Sequence, residues 1–169
     1  DDPMEGVTEQ EQVLLARYAK YLELGSGYFE IQRTKPQTLG YSLNDSPVGL
    51  AGWIIEKFHS WTDDEKNKLV VSLEDVLSIV SLYWFSESIT SSMRLYNENG
   101  REGFTKSRVD VPTGCALFKN EIVLPPKAWA EEIYNLIHWK HYDGGHFAAL
   151  EKPETLEKDI RLFVQKLRI

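Results

Sequence analysis

A chain of 169 residues, 42% hydrophobic and 27% charged, is long enough for one domain with a real core and has the balance of an ordinary globular protein. Its formal net charge of −7 argues against a nucleic-acid partner, since neutralising phosphates requires a basic face, and no run approaches the roughly 18 apolar residues of a membrane helix. The one cysteine, Cys115, excludes an internal disulfide and sits in an apolar stretch, where it reads as an inert buried thiol rather than a nucleophile. The basic residues Lys152, Lys158, Arg161, Lys166 and Arg168 are interleaved with acids and read as a solvated helix face. The chain opens Asp1-Asp2-Pro3 with no signal or transit pattern, and is expected to begin partway through a longer fold.

In chain order, Thr8 with Glu11 three residues on forms a capping box, and Val13, Leu14, Tyr18, Tyr21 and Leu22 recur at helical spacing up to Gly25 and Gly27. Residues 28–43, interrupted by Pro36 and Gly40, suggest two short helices. Ser46-Pro47 opens another through Leu50, Ile54, Ile55 and Phe58, flanked by Trp53. Residues 62–68 form a charged connector. Ser72 then caps a long predicted helix from Leu73 to about Tyr96, with Val76, Leu77, Val80, Tyr83 and Trp84 on its apolar side. Residues 97–107, with Gly100 and Gly103, read as a polar loop.

The character then changes. Residues 109–117 are rich in β-branched side chains and read as a strand; Pro125-Pro126 opens a helix through Trp129 and Ile133; residues 136–142 read as a second strand; Pro153 begins a last helix carrying Leu156, Ile160, Phe163, Val164 and Leu167. Strand, helix, strand, helix is the rhythm of a parallel α/β sheet with crossover helices. Two strands cannot complete such a sheet, because parallel strands need partners and helices on both faces. A helical module therefore precedes the remnant of an α/β core.

Two features of the remnant carry chemistry. Asp143-Gly144-Gly145-His146 is a tight glycine turn that sets a histidine at the carboxyl end of a strand, where open α/β sheets place their sites. Glu121 follows the preceding strand, and adjacent parallel strands would bring the two loops together. A carboxylate bonded to one imidazole nitrogen makes the other a better base. Asp143 and Asp110 compete for the role of the acid. His59 ends a helix, where a cation offsets the dipole; His138 and His141 lie on or beside a strand with no metal-site spacing.

Four stretches, Gly27–Asp63 (GYFEIQRTKPQTLGYSLNDSPVGLAGWIIEKFHSWTD), Ile89–Asn99 (ITSSMRLYNEN), VPTG with the following Glu121, and Gly144–Ile160 (GGHFAALEKPETLEKDI), resemble epoxide hydrolases of the microsomal type, which include insect juvenile-hormone epoxide hydrolases and fungal and bacterial enzymes. The resemblance covers nearly the whole chain in order, and TKPQT, LNDSPVGL and GGHFAA together make it specific. It implies the C-terminal part of an α/β-hydrolase fold: a helical lid over 1–106, then the last two strands and helices of the core over 107–169. It further implies that His146 is the general base and Glu121 the acid that orients it. Tyr28 and Tyr96 would be the lid tyrosines that donate to the epoxide oxygen. From spacing alone these two stand out no more than the other six tyrosines. The implied substrate is a small apolar epoxide, with water the second reactant and neither metal nor organic cofactor needed. The aspartate nucleophile on its strand–turn–helix elbow is expected from the N-terminal half of the same enzyme, since no Gly-x-Asp-x-Gly or Gly-x-Ser-x-Gly occurs here. An esterase, a haloalkane dehalogenase or an inactive binding module are the alternatives, and the tyrosine pair separates the first two. A homo-oligomer is compatible with the sequence. So is a cytoplasmic location, with an upstream membrane anchor left open.

Overall fold

In a computed structural model the described residues are 2–63, 70–102 and 107–167. In chain order the elements are α1 (Glu9–Leu24), α2 (Gly27–Thr34), α3 (Pro36–Asp45), α4 (Pro47–Trp61), α5 (Leu73–Phe85), α6 (Ile89–Glu102), β1 (Val109–Asn120), α7 (Lys127–Ile133), β2 (Tyr134–Gly145), α8 (Ala148–Glu151) and α9 (Pro153–Lys166). They form two compact units, one of Asp1–Leu22, Trp61–Asp63 and Lys106–Ile169, the other of Glu23–Ser60 and Asp64–Thr105. Among the described residues no helix is long and apolar enough to cross a membrane.

The first unit is built on two parallel strands. β1 pairs with β2 from Val109↔Tyr134 to Asn120↔Gly145, with three register shifts. The connection between them is α7, whose start is set by Pro125-Pro126; Pro126 is fully buried. The strand begins at Tyr134, immediately after that helix. The Gly144-Gly145 pair is also strand, so the turn falls on His146 and Phe147 rather than on the glycines. The reason is that Gly145 still faces Asn120 in the ladder. The capping box forms as the sequence implies: Glu11 N–H donates to Thr8 Oγ1 at 3.2 Å and Thr8 N–H to Glu11 Oε2 at 2.9 Å. The first helix groups with the sheet because its polar side chains reach it. Arg17 donates to the carbonyls of Lys119 and Glu121 at 2.9 and 2.8 Å, and Glu11 accepts from Lys127 N–H at 2.8 Å. On α9 the basic residues are exposed in i,i+4 pairs, Lys158 with Glu154 and Arg161 with Glu157, while Lys166 Nζ donates to the Ile137 carbonyl; Arg168 lies outside the described residues.

Among the described residues, the only regular elements of the second unit are helices. Leu50, Val76 and Met93 are fully buried, with Leu43, Ile54, Phe58, Val80 and Ile89 around them in the buried set. Each such side chain contributes roughly 1.5–3 kcal/mol relative to exposure. Gly40 is interior to α3 and does not interrupt it. A Cβ there would come within 2.3 Å of Thr90 Oγ1, so this glycine allows α3 and α6 to approach closely. Gly27 likewise opens α2 rather than closing α1. The predicted single helix from Leu73 to Tyr96 is two. α5 ends with Glu87 in the left-handed region (φ 53°), where Ser88 N–H reaches back to the Tyr83 carbonyl and Glu87 N–H to the Trp84 carbonyl. That is the Schellman closure, here with glutamate where glycine is usual. α6 then runs to Glu102, so residues 97–102 are helical and not a loop; Gly103 and the connector residues 64–68 lie outside the described residues.

Candidate active site

The parallel register decides what meets at the sheet's carboxyl end. Asn120 is paired with Gly145, so the next residue of each strand, Glu121 and His146, emerges beside the other. His146 Nδ1 lies 2.6 Å from Glu121 Oε1, with the imidazole 37% and the carboxylate 30% exposed. Burial acts to raise the Glu121 pKa. The hydrogen bond from His146, the His146 charge, the Ile122 N–H at 2.6 Å and the Arg17 guanidinium together outweigh it, and hold the carboxyl below its ordinary value of 4.5. With Nδ1–H donated to this carboxylate, the imidazole presents a lone pair at Nε2, the form a general base needs.

The competing acids stand elsewhere. Asp110 is 89% exposed near the start of β1, with Arg108 Nε at 3.5 Å, and Asp143 is exposed one residue before the glycine pair. Of the three carboxylates, Glu121 is the one on the imidazole.

The ring of His146 is held on two sides by aromatic edges, Trp61 at 5.2 Å and Phe147 at 5.0 Å between centroids. Its backbone N–H donates to the Trp61 carbonyl at 2.8 Å. Segment Trp61–Asp63 thus lies against the histidine turn, and Gly145 makes this approach feasible. A Cβ at position 145 would stand 2.4 Å from the Trp61 carbonyl oxygen and 2.9 Å from Asp63 N. Gly144 adopts φ +139°, a conformation open to glycine alone among common residues.

In the helical unit Tyr28, in the first turn of α2, meets Tyr96 of α6 edge to face at 6.2 Å, and Phe29 packs on Tyr96 at 5.6 Å. Lys57 Nζ sits 4.5 Å from the Tyr28 ring centroid. Burial raises the Tyr96 pKa, as do the neighbouring Tyr28 and Tyr83, against a hydrogen bond with the buried Gln32. The Tyr96 phenol therefore keeps its proton and can donate at neutral pH. Gln32 and Lys57 carry no sequence signal beyond lying inside the resembling stretch.

A second polar cluster was not legible. His138, read as an unremarkable strand residue, is buried with Nε2 2.6 Å from Asp159 Oδ1, and the same oxygen accepts from the Tyr142 hydroxyl. Burial and this carboxylate push the Tyr142 phenol up to about 12. The partner lies 21 residues away on α9, and only the strand–helix packing joins them. His141 is exposed and His59 is in the last turn of α4. Cys115 is half-buried rather than buried, and burial raises its thiol pKa.

An acid and a histidine carried just beyond the ends of neighbouring parallel strands, with helices following each, is the arrangement of the α/β-hydrolase fold, of which these residues form part. No family model matches the chain. Epoxide hydrolase 1 of Sus scrofa is 43% identical to it over 176 residues, covering 94% of this chain and 39% of the relative. Among solved structures, the Aspergillus niger epoxide hydrolase superposes with a TM-score of 0.85 at 31% identity, over 98% of this chain and 42% of that one. The juvenile hormone epoxide hydrolase of the silkworm Bombyx mori superposes at 0.82 and 34% identity, over 96% and 42%. Over nearly its whole length the chain is similar to epoxide hydrolases. It spans about two fifths of the length of the relatives it matches.

Proposed function

We propose that the polypeptide containing these residues is an epoxide hydrolase that converts an apolar epoxide and water to a vicinal diol through an alkyl-enzyme ester. The observation that carries this reading is the 2.6 Å pairing of His146 Nδ1 with Glu121 in a chain 43% identical to an epoxide hydrolase. An aspartate supplied outside residues 1–169 attacks a ring carbon, forming the ester bond as the ring C–O bond breaks. Negative charge develops on the departing oxygen, and Tyr28 and Tyr96 donate to it, one giving up its proton to the alkoxide. His146 Nε2 then removes a proton from water and the hydroxide adds to the ester carbonyl. The ester C–O bond breaks, the proton of the added hydroxyl passes to the departing diol oxygen as the carboxylate is restored, and the imidazolium proton returns the tyrosinate to the phenol. Glu121 holds the imidazole in the required tautomer and stabilises the imidazolium. The helical residues ahead of the sheet serve as the lid.

The full-length polypeptide is incubated with styrene oxide in 18O-labelled water under single-turnover conditions. Formation of the diol is expected, with no label in the first molecule released, because its new oxygen comes from the aspartate. Label in the first turnover would mean direct attack by water, and absence of diol would overturn the reading altogether.

A further inference from the structure

Two strand ends place His146 beside Glu121, but a turn of two residues after a glycine pair does not by itself fix an imidazole to a few tenths of an ångström. The chain must contain something that holds the turn. Five residues past the histidine, Glu151 closes the four-residue helix α8, and its half-buried carboxylate is turned back on the loop. Oε2 accepts from Gly145 N–H at 3.1 Å and Oε1 from Phe147 N–H at 3.0 Å, the two amides that flank His146. Oε2 also accepts from Asp63 N–H at 2.7 Å. The amide of His146 itself is taken by the Trp61 carbonyl at 2.8 Å. Three consecutive amides, 145 to 147, are thus held alternately by Glu151, Trp61 and Glu151.

The same device reaches the acid. Asn120, immediately before Glu121, donates through Nδ2 to Asp63 Oδ1. Segment Trp61–Asp63 is therefore tied to the histidine loop through Trp61 and Glu151, and to the acid loop through Asp63. We propose that Glu151 is a positioning residue of the hydrolytic half-reaction: it grips the amides on either side of His146 and the amide of Asp63, and so sets the imidazole against Glu121 and aims Nε2 at the ester. An ionised carboxylate suits this role because it is acceptor-only on both oxygens, whereas a glutamine has one acceptor oxygen and an NH2 that would face at least one N–H donor. Gly145 is the complementary requirement, since any Cβ there would meet Trp61, Asp63 and Glu151 Oε1 together.

The inference rests on the ester mechanism proposed above, and its test separates the two. In the full-length polypeptide, wild type, His146→Gln and Glu151→Gln are mixed with styrene oxide, quenched at intervals, and the intact protein mass followed. Only folded enzyme forms the ester, so the rate constant for loss of the ester, per ester formed, is independent of how much of a variant is folded. A purely structural role for Glu151 would lower the amount of ester and leave that constant unchanged. The expected result is an ester-loss constant reduced on the order of tenfold or more in Glu151→Gln, with ester formation per folded molecule within about twofold of wild type. Should Glu151→Gln give no soluble protein, Asn120→Ala, which releases segment 61–63 from the acid loop, is expected to lower the same constant. An ester lost at the wild-type rate by either variant, while His146→Gln retains its ester, overturns the positioning role alone. Absence of any ester in wild type and His146→Gln overturns the mechanism and this inference with it.

Discussion

Replacing Glu121 by glutamine probes the acid–histidine pair with the least change in shape. The side chain keeps its length, but the charge facing Nδ1 at 2.6 Å is gone. In the resting state a hydrogen bond to a charged group is worth about 1.5–3 kcal/mol, and with both groups about one third exposed the lower end applies. In the ester hydrolysis proposed above the imidazole would become a cation, and a carboxylate about 4 Å from its charge centre at an effective dielectric near 20 would contribute up to about 4 kcal/mol. Since each 1.4 kcal/mol is a factor of ten, Glu121→Gln should slow hydrolysis between about tenfold and a thousandfold. Ester formation, which the pair does not touch, should stay within about twofold. Rapid-quench measurement of both steps in the full-length polypeptide reads this directly. Equal slowing of both steps, or a larger effect from Asp143→Asn, would refute the assignment of Glu121. A pH dependence follows as well. The folded-state pKa of Glu121 is depressed below 4.5, so its stabilising contribution is complete above that value and is lost as pH falls through the lower folded value. The urea midpoints of wild type and Glu121→Gln should differ at neutral pH and converge below pH 4.5.

Tyr28→Phe and Tyr96→Phe should each slow ester formation on the order of a hundred- to a thousandfold, with the double change nearly abolishing it; unchanged ring-opening rates would reduce both residues to packing. Asp159→Ala strips the buried His138 and the Tyr142 hydroxyl of their shared acceptor and should cost about 3 kcal/mol in denaturant unfolding. In the same variant the Tyr142 phenol, held up to about 12, should titrate closer to an ordinary tyrosine by ultraviolet absorption. Glu87→Gly relieves the left-handed backbone between α5 and α6 and should raise stability by about 0.5–1 kcal/mol; a loss of stability would show that the glutamate side chain matters there.

What the sequence disclosed follows physical range. The capping box at Thr8, the proline starts at Pro47 and Pro153, and the two strands rest on local chemistry, and each appears where expected, the strands extending two or three residues past expected ends; Pro36, read as an interruption, opens α3. The Glu121–His146 pair was also accessible, because one assumption, adjacent parallel strands, converts a separation of 25 residues into contact. The break at Glu87 was not, since a helix closed without glycine leaves no mark in composition. Gly40 and Gly100 suggested interruptions but lie inside helices; at Gly40 the closeness of Thr90 explains the missing side chain. His138 and Asp159 lie on a strand and a helix whose facing register no local pattern encodes, so the buried pair emerged only from packing. Glu151 belongs to the stretch that carried the resemblance, but its return onto the amides of Gly145 and Phe147 depends on the turn that α8 makes.

The most direct test of the central claim is to trap the intermediate. The full-length polypeptide with His146→Gln is mixed with a modest excess of styrene oxide and analysed by intact mass, then by peptide mapping. Stoichiometric gain of one epoxide per chain, located on an aspartate outside residues 1–169 and stable for many wild-type turnover times, is expected if His146 serves ester hydrolysis alone. Undiminished steady diol production by the variant, with no adduct, would contradict the claim.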